Sequence, residues 1–256
     1  MTTFVDLNFV AERLDNPNYL ILDPRRPMKY LSGHLKNAVN LPAYRAFDEH
    51  LRLLSPEALA AWIGNAGLGS EGTPIIYDSF DGQNAAILAW IMEYMGRTDV
   101  FMMDRFYEEW VAEKREVFYK PVETTPRIFT TRLNGSIRIS AEEIVANPSM
   151  KLIDFRSIEE FNGARDMDGK PGHIPGAHNV VWRDLVSAEG FLTSGDRLQK
   201  IFAGAAIQRG DTLVSYCRSG LRAAVGYTAL RQLGYEAKLY DGSYRDWIVK
   251  GLPTEI

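Results

Sequence analysis

Short apolar runs punctuate the chain: Tyr19-Leu20-Ile21-Leu22, Pro74-Ile75-Ile76-Tyr77, Lys151-Leu152-Ile153 and Leu213-Val214-Ser215-Tyr216. They are rich in β-forming residues and too short for helices. They alternate with longer periodic segments that end at Gly96 and Gly234, where a helix C-terminal cap is expected. This rhythm predicts buried parallel strands joined by crossover helices, an α/β architecture. Ligands of such sheets bind beyond the carboxyl ends of the strands, and the chain's one cysteine, Cys217, follows the last of these runs directly.

The pattern also repeats. Gly33-His34-Leu35-Lys36-Asn37-Ala38-Val39-Asn40 lines up with Gly172-His173-Ile174-Pro175-Gly176-Ala177-His178-Asn179 at a shift of 139 residues, which also carries Tyr77 onto Tyr216 and Asp78 onto Cys217. Asp23 and Arg25 fall on Asp154 and Arg156 at a shift of 131, and Asp104 and Trp110 on Asp241 and Trp247 at 137. Two copies of one domain are therefore expected, over residues 1–120 and 136–256. The two prolines of Lys120-Pro121-Val122-Glu123-Thr124-Thr125-Pro126-Arg127 open a linker over 121–135. At 256 residues, 46% of them hydrophobic, the chain can build two cores of about 120 residues each.

Charge and cysteine usage narrow the function. A formal net charge of −4 without a dense basic stretch argues against nucleic acid as a partner. No apolar run is long enough to span a membrane, and the first residues lack a basic segment followed by an apolar core, so a cytoplasmic protein with no membrane partner is expected. One cysteine excludes an internal disulfide, and His34, His50, His173 and His178 stand in no ligand-like spacing, so neither a metal nor a cofactor is expected. His34 and His173 are repeat equivalents, which points to a structural, turn-binding role.

Cys217 opens the run Cys217-Arg218-Ser219-Gly220-Leu221-Arg222, between an apolar strand and a helical stretch. A Gly-containing turn from strand to helix aims backbone N–H groups into one concavity, with the positive helix end behind them. Two arginines in the turn add to this, so a nucleophilic thiolate is expected. A free cysteine is more often a small buried hydrophobe, but paired guanidinium groups beside a buried thiol would lack solvent or partners.

The segment Cys-Arg-x-Gly-x-Arg after an apolar strand resembles the active loop of rhodaneses, sulfurtransferases whose cysteine carries a sulfane sulfur as a persulfide. Leu152-Ile153-Asp154-Phe155-Arg156, the Gly172–Asn179 segment and Tyr240-Asp241-Gly242-Ser243-Tyr244-Arg245-Asp246-Trp247 resemble further signatures of that family, with Tyr244 where tryptophan is commoner. The four residues between Cys217 and Arg222, against five in tyrosine phosphatases and related arsenate reductases, disfavour those enzymes. The resemblance implies a tandem-domain enzyme, of thiosulfate or 3-mercaptopyruvate sulfurtransferase type. Each of its two rhodanese-like domains is a mostly parallel sheet flanked by helices. The first copy is silent, because Asp78-Ser79-Phe80-Asp81-Gly82-Gln83 has a carboxylate in place of the thiol and no arginine.

On this reading Cys217 is catalytic, and Arg218, Ser219, Gly220, Leu221 and Arg222 form the substrate cradle. Asp154 and Arg156 either orient the loop and reach the substrate anion or form a structural ion pair, since Asp23 and Arg25 repeat them. Trp182 is expected as an aromatic wall near the persulfide, with Phe80 as a further candidate. Ser157-Ile158-Glu159-Glu160 reads as a helix capping box, at a place where some thiosulfate enzymes carry a second arginine. The expected reaction is a double displacement from a small-molecule donor, thiosulfate or mercaptopyruvate, to cyanide or a thiol. The paired arginines favour the doubly charged thiosulfate. A non-catalytic binding or redox-sensing module on the same scaffold is the alternative.

Overall fold

The structure, a computed structural model, describes residues 2–188, 190–205, 207–208 and 210–256. The chain divides into two compact units, Met1–Asn134 with Ala188–Phe191, and Gly135–Ser187 with Leu192–Ile256. In the first, β1 (Thr3–Val5), α1 (Leu7–Ala11), β2 (Tyr19–Asp23), α2 (Pro27–Leu31), β3 (Val39–Asn40), α3 (Pro56–Asn65), β4 (Thr73–Ile76), α4 (Gln83–Tyr94), β5 (Phe101–Met103) and α5 (Tyr107–Ala112) follow in chain order. The strands form one parallel sheet in the order β1-β5-β4-β2-β3. In the second unit come α6 (Ala141–Ala146), β6 (Lys151–Asp154), α7 (Ile158–Phe161), β7 (His178–Asn179), α8 (Gly195–Gly204), β8 (Thr212–Tyr216), α9 (Leu221–Gln232), β9 (Glu236–Leu239) and α10 (Ser243–Val249). Their parallel sheet runs β7-β6-β8-β9.

The two sheets are the same arrangement, with β6, β7, β8 and β9 taking the places of β2, β3, β4 and β5. The partner of β5 at the sheet edge, β1, is matched in the second unit only by a single parallel bridge between Arg138 and Leu239. The central strands are buried on both faces, which is why they read as continuous apolar runs rather than alternating ones. In register, Asp154 at the end of β6 lies opposite Tyr216 at the end of β8, so both strands stop together one residue before Cys217.

The helices that follow the two central strands are buried nearly all round. In α4 every residue from Ala85 to Tyr94 is buried, and in α9 every residue from Ala223 to Leu230. Both helices stop just before Gly96 and Gly234, as the sequence predicts. Small residues let α9 approach the sheet: a side-chain carbon added at Gly226 would fall on the Phe155 ring, directly after β6. By contrast α8 buries only Leu198 and Phe202 and presents polar residues outward.

Residues 121–134, within the linker expected over 121–135, hold no helix or strand and lie along the first unit. The Arg127 N–H donates to the Gly64 carbonyl at 2.9 Å, Arg132 to Met95 at 3.0 Å and Asn134 to Tyr94 at 2.8 Å, while Phe129 is buried. The acceptors belong to the last turns of α3 and α4, whose final carbonyls lack intrahelical donors. The segment supplies them, which composition does not reveal. Among the described residues no helix is long and apolar enough to cross a membrane, and no group of side chains could hold a metal ion.

Replacing Gly226 by alanine should destabilise the second unit by about 1–3 kcal/mol, because overpacking against Phe155 outweighs the gain in helix propensity. Urea unfolding of wild type and Gly226→Ala would show it as a lower midpoint at unchanged slope.

Candidate active site

The loop from Cys217 to Gly220 joins β8 to the twelve-residue helix α9. Gly220 has φ 93°, and an added Cβ would lie 2.9 Å from the Asp241 carbonyl oxygen, so both backbone conformation and space demand glycine. Its N–H points back at the cysteine, 3.2 Å from Sγ. The buried sulfur thus faces a backbone donor at the N-terminus of a long helix, the arrangement that suits an anion.

The other side of the loop is tied to the start of α10. The Cys217 N–H donates to Ser243 Oγ at 3.1 Å, Ser243 Oγ donates to the Tyr240 carbonyl at 2.8 Å, and the Tyr244 and Arg245 N–H groups donate to the carbonyls of Cys217 and Arg218 at 3.0 and 3.1 Å. Ser243 is fully buried with φ 56°, a left-handed conformation that costs a non-glycine residue free energy. Sequence reasoning passed over Ser243. Its repeat equivalent at a shift of 137, Phe106, has φ −82° and no such role.

Both loop arginines are already paired. Arg222 meets the Glu160 carboxylate in a two-pronged bridge at 2.6 and 2.9 Å, and Arg218 meets Asp168 likewise at 2.6 and 2.8 Å. Glu160 also closes the capping box of α7 with Ser157, as the sequence predicts. Burial opposes ionisation of Glu160, but the Arg222 guanidinium and the Ser157 amide override it and hold the carboxyl down at about 2, against an ordinary 4.5. Sequence reasoning also missed Asp168. The signal was present in the two repeat shifts, 131 before it and 139 after it, which mark an insertion in the second copy.

Asp154 and Arg156 form a buried ion pair. Arg156 Nε lies 3.0 and 2.9 Å from the two Asp154 oxygens and Nη2 lies 2.6 Å from one of them; Nη2 also donates to the Gly172 carbonyl at 2.9 Å, and the guanidinium sits 4.0 Å over the Tyr244 ring. Arg25 repeats each contact with Asp23, the Gly33 carbonyl and the Tyr107 ring. Of the two roles left open by the sequence, this repetition favours the structural one. The contacts of the two equivalent histidines fit their expected turn-binding role: His173 stacks on Phe161 and bonds its carbonyl, and His34 stacks on Tyr30. Trp182 begins a 3₁₀ turn, Trp182–Leu185, that packs against α9; its ring is half-buried under the Arg183 guanidinium at 4.5 Å. Ser219 and Leu221 are half-buried in the loop.

The rhodanese-like domain family matches residues 6–113 and again 140–250. The chain is a member of that family. It is 28% identical over 270 residues to the thiosulfate sulfurtransferase of Corynebacterium glutamicum, covering 95% of this chain and 86% of that protein. It is similar in structure to the 3-mercaptopyruvate sulfurtransferase SseA of Escherichia coli, with a TM-score of 0.87 and 28% identity over 95% of this chain and 99% of SseA. EanB bound to ergothioneine shares the fold, with a TM-score of 0.90 at 20% identity over 98% of this chain and 69% of EanB.

The first rhodanese-like domain differs at its loop in more than one atom. Five residues, Asp78 to Gly82, separate Tyr77 from α4, where four separate Tyr216 from α9. The Asp78 carboxylate fills its own cradle, accepting from the N–H groups of Ser79 at 2.8 Å and Ala85 at 2.9 Å. Burial nevertheless pushes its carboxyl up to about 7. Phe80 takes φ 50° at the tip of this longer loop and is exposed, with its N–H donating to Glu108.

The depressed Glu160 carboxyl sets a pH dependence. Stability from this pair is complete above about pH 4.5 and is lost as the pH falls through about 2. Glu160→Gln should be less stable than wild type at pH 7 by about 3 kcal/mol, because it also leaves Arg222 unpaired. The gap should close toward pH 2, as measured by urea unfolding across a pH series.

Proposed function

We propose that Cys217 carries a sulfane sulfur from thiosulfate to cyanide or a thiol acceptor, which makes the chain a sulfurtransferase with one active loop, in its second domain. The observation that carries this reading is the placement of Sγ at the carboxyl end of β8, facing the Gly220 N–H at the start of α9. Membership of the rhodanese-like family and the thiosulfate sulfurtransferase relative support it. On this reading Arg218, Ser219, Gly220, Leu221 and Arg222 form the substrate cradle, and the absence of a thiol from the first loop confines chemistry to the second.

The Cys217 thiolate attacks the outer sulfur of thiosulfate, the sulfur–sulfur bond of the donor breaks, and sulfite leaves with the bonding electron pair. A persulfide remains on Cys217, with the Gly220 N–H placed to stabilise its charge. The acceptor then attacks the outer sulfur, takes it as thiocyanate or a new persulfide, and returns the thiolate. Ser243 and the Tyr244 amide keep the cysteine backbone fixed through both steps. Asp154 and Arg156 support the loop through Tyr244, and Trp182, on the turn that packs against α9, is the aromatic wall proposed beside the persulfide.

A second donor, 3-mercaptopyruvate, is favoured by the likeness to SseA and by the carboxylate already seated on each loop arginine. The Cys217 thiolate would attack its sulfur, the carbon–sulfur bond would break with its electron pair passing to the pyruvate enolate, and the enolate would take up the thiol proton to leave as pyruvate, with the persulfide on Cys217. Incubation of wild type with thiosulfate should add one sulfur, about 32 mass units, that cyanide removes with repeated release of thiocyanate. Cys217→Ser should gain nothing. A single oxidation or sulfur addition without turnover would instead support a redox-sensing module.

A further inference from the structure

The second domain carries eight more residues than the first between its Asp-x-Arg pair and its Gly-His turn. Ten positions lead from Asp23 to Gly33, and eighteen from Asp154 to Gly172. The extra chain follows α7 and is built to present one side chain. Asp166 accepts the N–H groups of Asp168, Gly169 and Lys170 at 3.0, 2.8 and 3.2 Å, which folds the segment into a tight turn. Its far end is anchored by the Lys170 ammonium on the Leu252 carbonyl at 2.7 Å and by the Tyr244 hydroxyl on the Lys170 carbonyl at 3.1 Å. Tyr244 is the residue whose amide also holds the Cys217 carbonyl. At the crest of the turn, Asp168 grips Arg218, the residue after the cysteine, with two hydrogen bonds. The insertion occurs only in the copy that has a cysteine, and it delivers a carboxylate to the loop beside that cysteine.

The two loop pairs differ in what can reach them. Glu160 and Arg222 are 7% and 20% exposed, and Glu160 is also tied into the cap of α7. Asp168 is 10% exposed and Arg218 31%, on a turn held by side-chain and backbone hydrogen bonds outside regular structure. Arg218 is therefore the more exposed of the two cations, beside Arg222, whose charge acts on Cys217 itself, and Asp168 competes with an incoming donor for Arg218. A dianion must displace or approach this carboxylate to use Arg218, at a Coulombic cost that grows with the donor's charge. A monoanion incurs less of that cost.

The geometry points to Asp168 as the residue that sets donor specificity: by occupying Arg218 it lowers the site's preference for dianionic thiosulfate relative to a singly charged donor such as 3-mercaptopyruvate. This assignment rests on the sulfurtransferase reading above. Asp168 does not touch the sulfur being transferred. It acts through Arg218, as a positioning residue.

The test is steady-state transfer to cyanide from thiosulfate and from 3-mercaptopyruvate, with wild type, Asp168→Asn and Asp168→Glu. Asp168→Asn should lower KM for thiosulfate with little change in kcat, raising the kcat/KM ratio of thiosulfate over mercaptopyruvate about tenfold. Asp168→Glu, which restores the charge, should return toward the wild-type ratio. Asp168→Ser provides a second neutral variant and should shift the ratio in the same direction as Asp168→Asn. An unchanged ratio in both neutral variants, or equal losses with both donors, would overturn the assignment while leaving sulfur transfer intact. Failure of both donors to load wild-type Cys217 would overturn the sulfurtransferase reading, and this assignment with it.

Discussion

Each domain is organised around one buried ion pair. In the second domain Asp154 ends β6, grips Arg156 two residues on, and so aims that guanidinium at the Gly172 carbonyl and across the Tyr244 ring. Tyr216, at the end of the neighbouring strand, is buried with its hydroxyl hydrogen-bonded to Asp154, and its oxygen accepts the Ile174 N–H. The cluster thereby joins β6, β8, the Gly-His turn and α10, the pieces that surround Cys217. A buried charge without its partner is costly, so neither member is free to leave the pair. The first domain repeats the same contacts through Asp23, Arg25, Tyr77 and Tyr107, without a thiol to serve. Its recurrence there favours the pair as part of the fold, on which the Cys217 loop of the second domain is mounted.

On that frame the Cys217 loop is defined more by carboxylates than by free cations. Arg218 and Arg222 belong to the loop, yet each is held by an acid from the stretch between β6 and β7, Asp168 and Glu160. Their charges are shared before any donor arrives. A backbone N–H at a helix start, which needs no counter-ion, is directed at the sulfur, and the Arg222 charge acts on the same cysteine. The left-handed Ser243 places its hydroxyl under the cysteine amide and leaves the sulfur side of the loop to Gly220.

The two copies differ at this loop without loss of the domain. Asp78 satisfies its own amides, and the extra residue in the loop turns Phe80 outward. The sheet order and the buried helix behind the loop are unaffected, because they depend on apolar burial and on the Asp-Arg cluster rather than on the residue at the loop's first position.

The sequence by itself determined the α/β class, the two copies, the parallel strands, the caps at Gly96, Gly234 and Ser157, and the loop that holds Cys217. Each is encoded locally, in apolar runs, turn residues and short-range hydrogen bonds, or in the internal repeat. Tertiary structure alone decided what meets that loop. Asp168 lies 50 positions before Arg218, Glu160 62 before Arg222, and Ser243 26 after Cys217. No propensity or periodicity links residues so far apart; only the parallel register that ends β6 and β8 together brings them to one place. The same holds for residues 121–134, whose prolines suggest a linker and whose backbone satisfies the open ends of α3 and α4. Local composition sets what a segment can form, and the unpaired groups of distant segments decide where it settles.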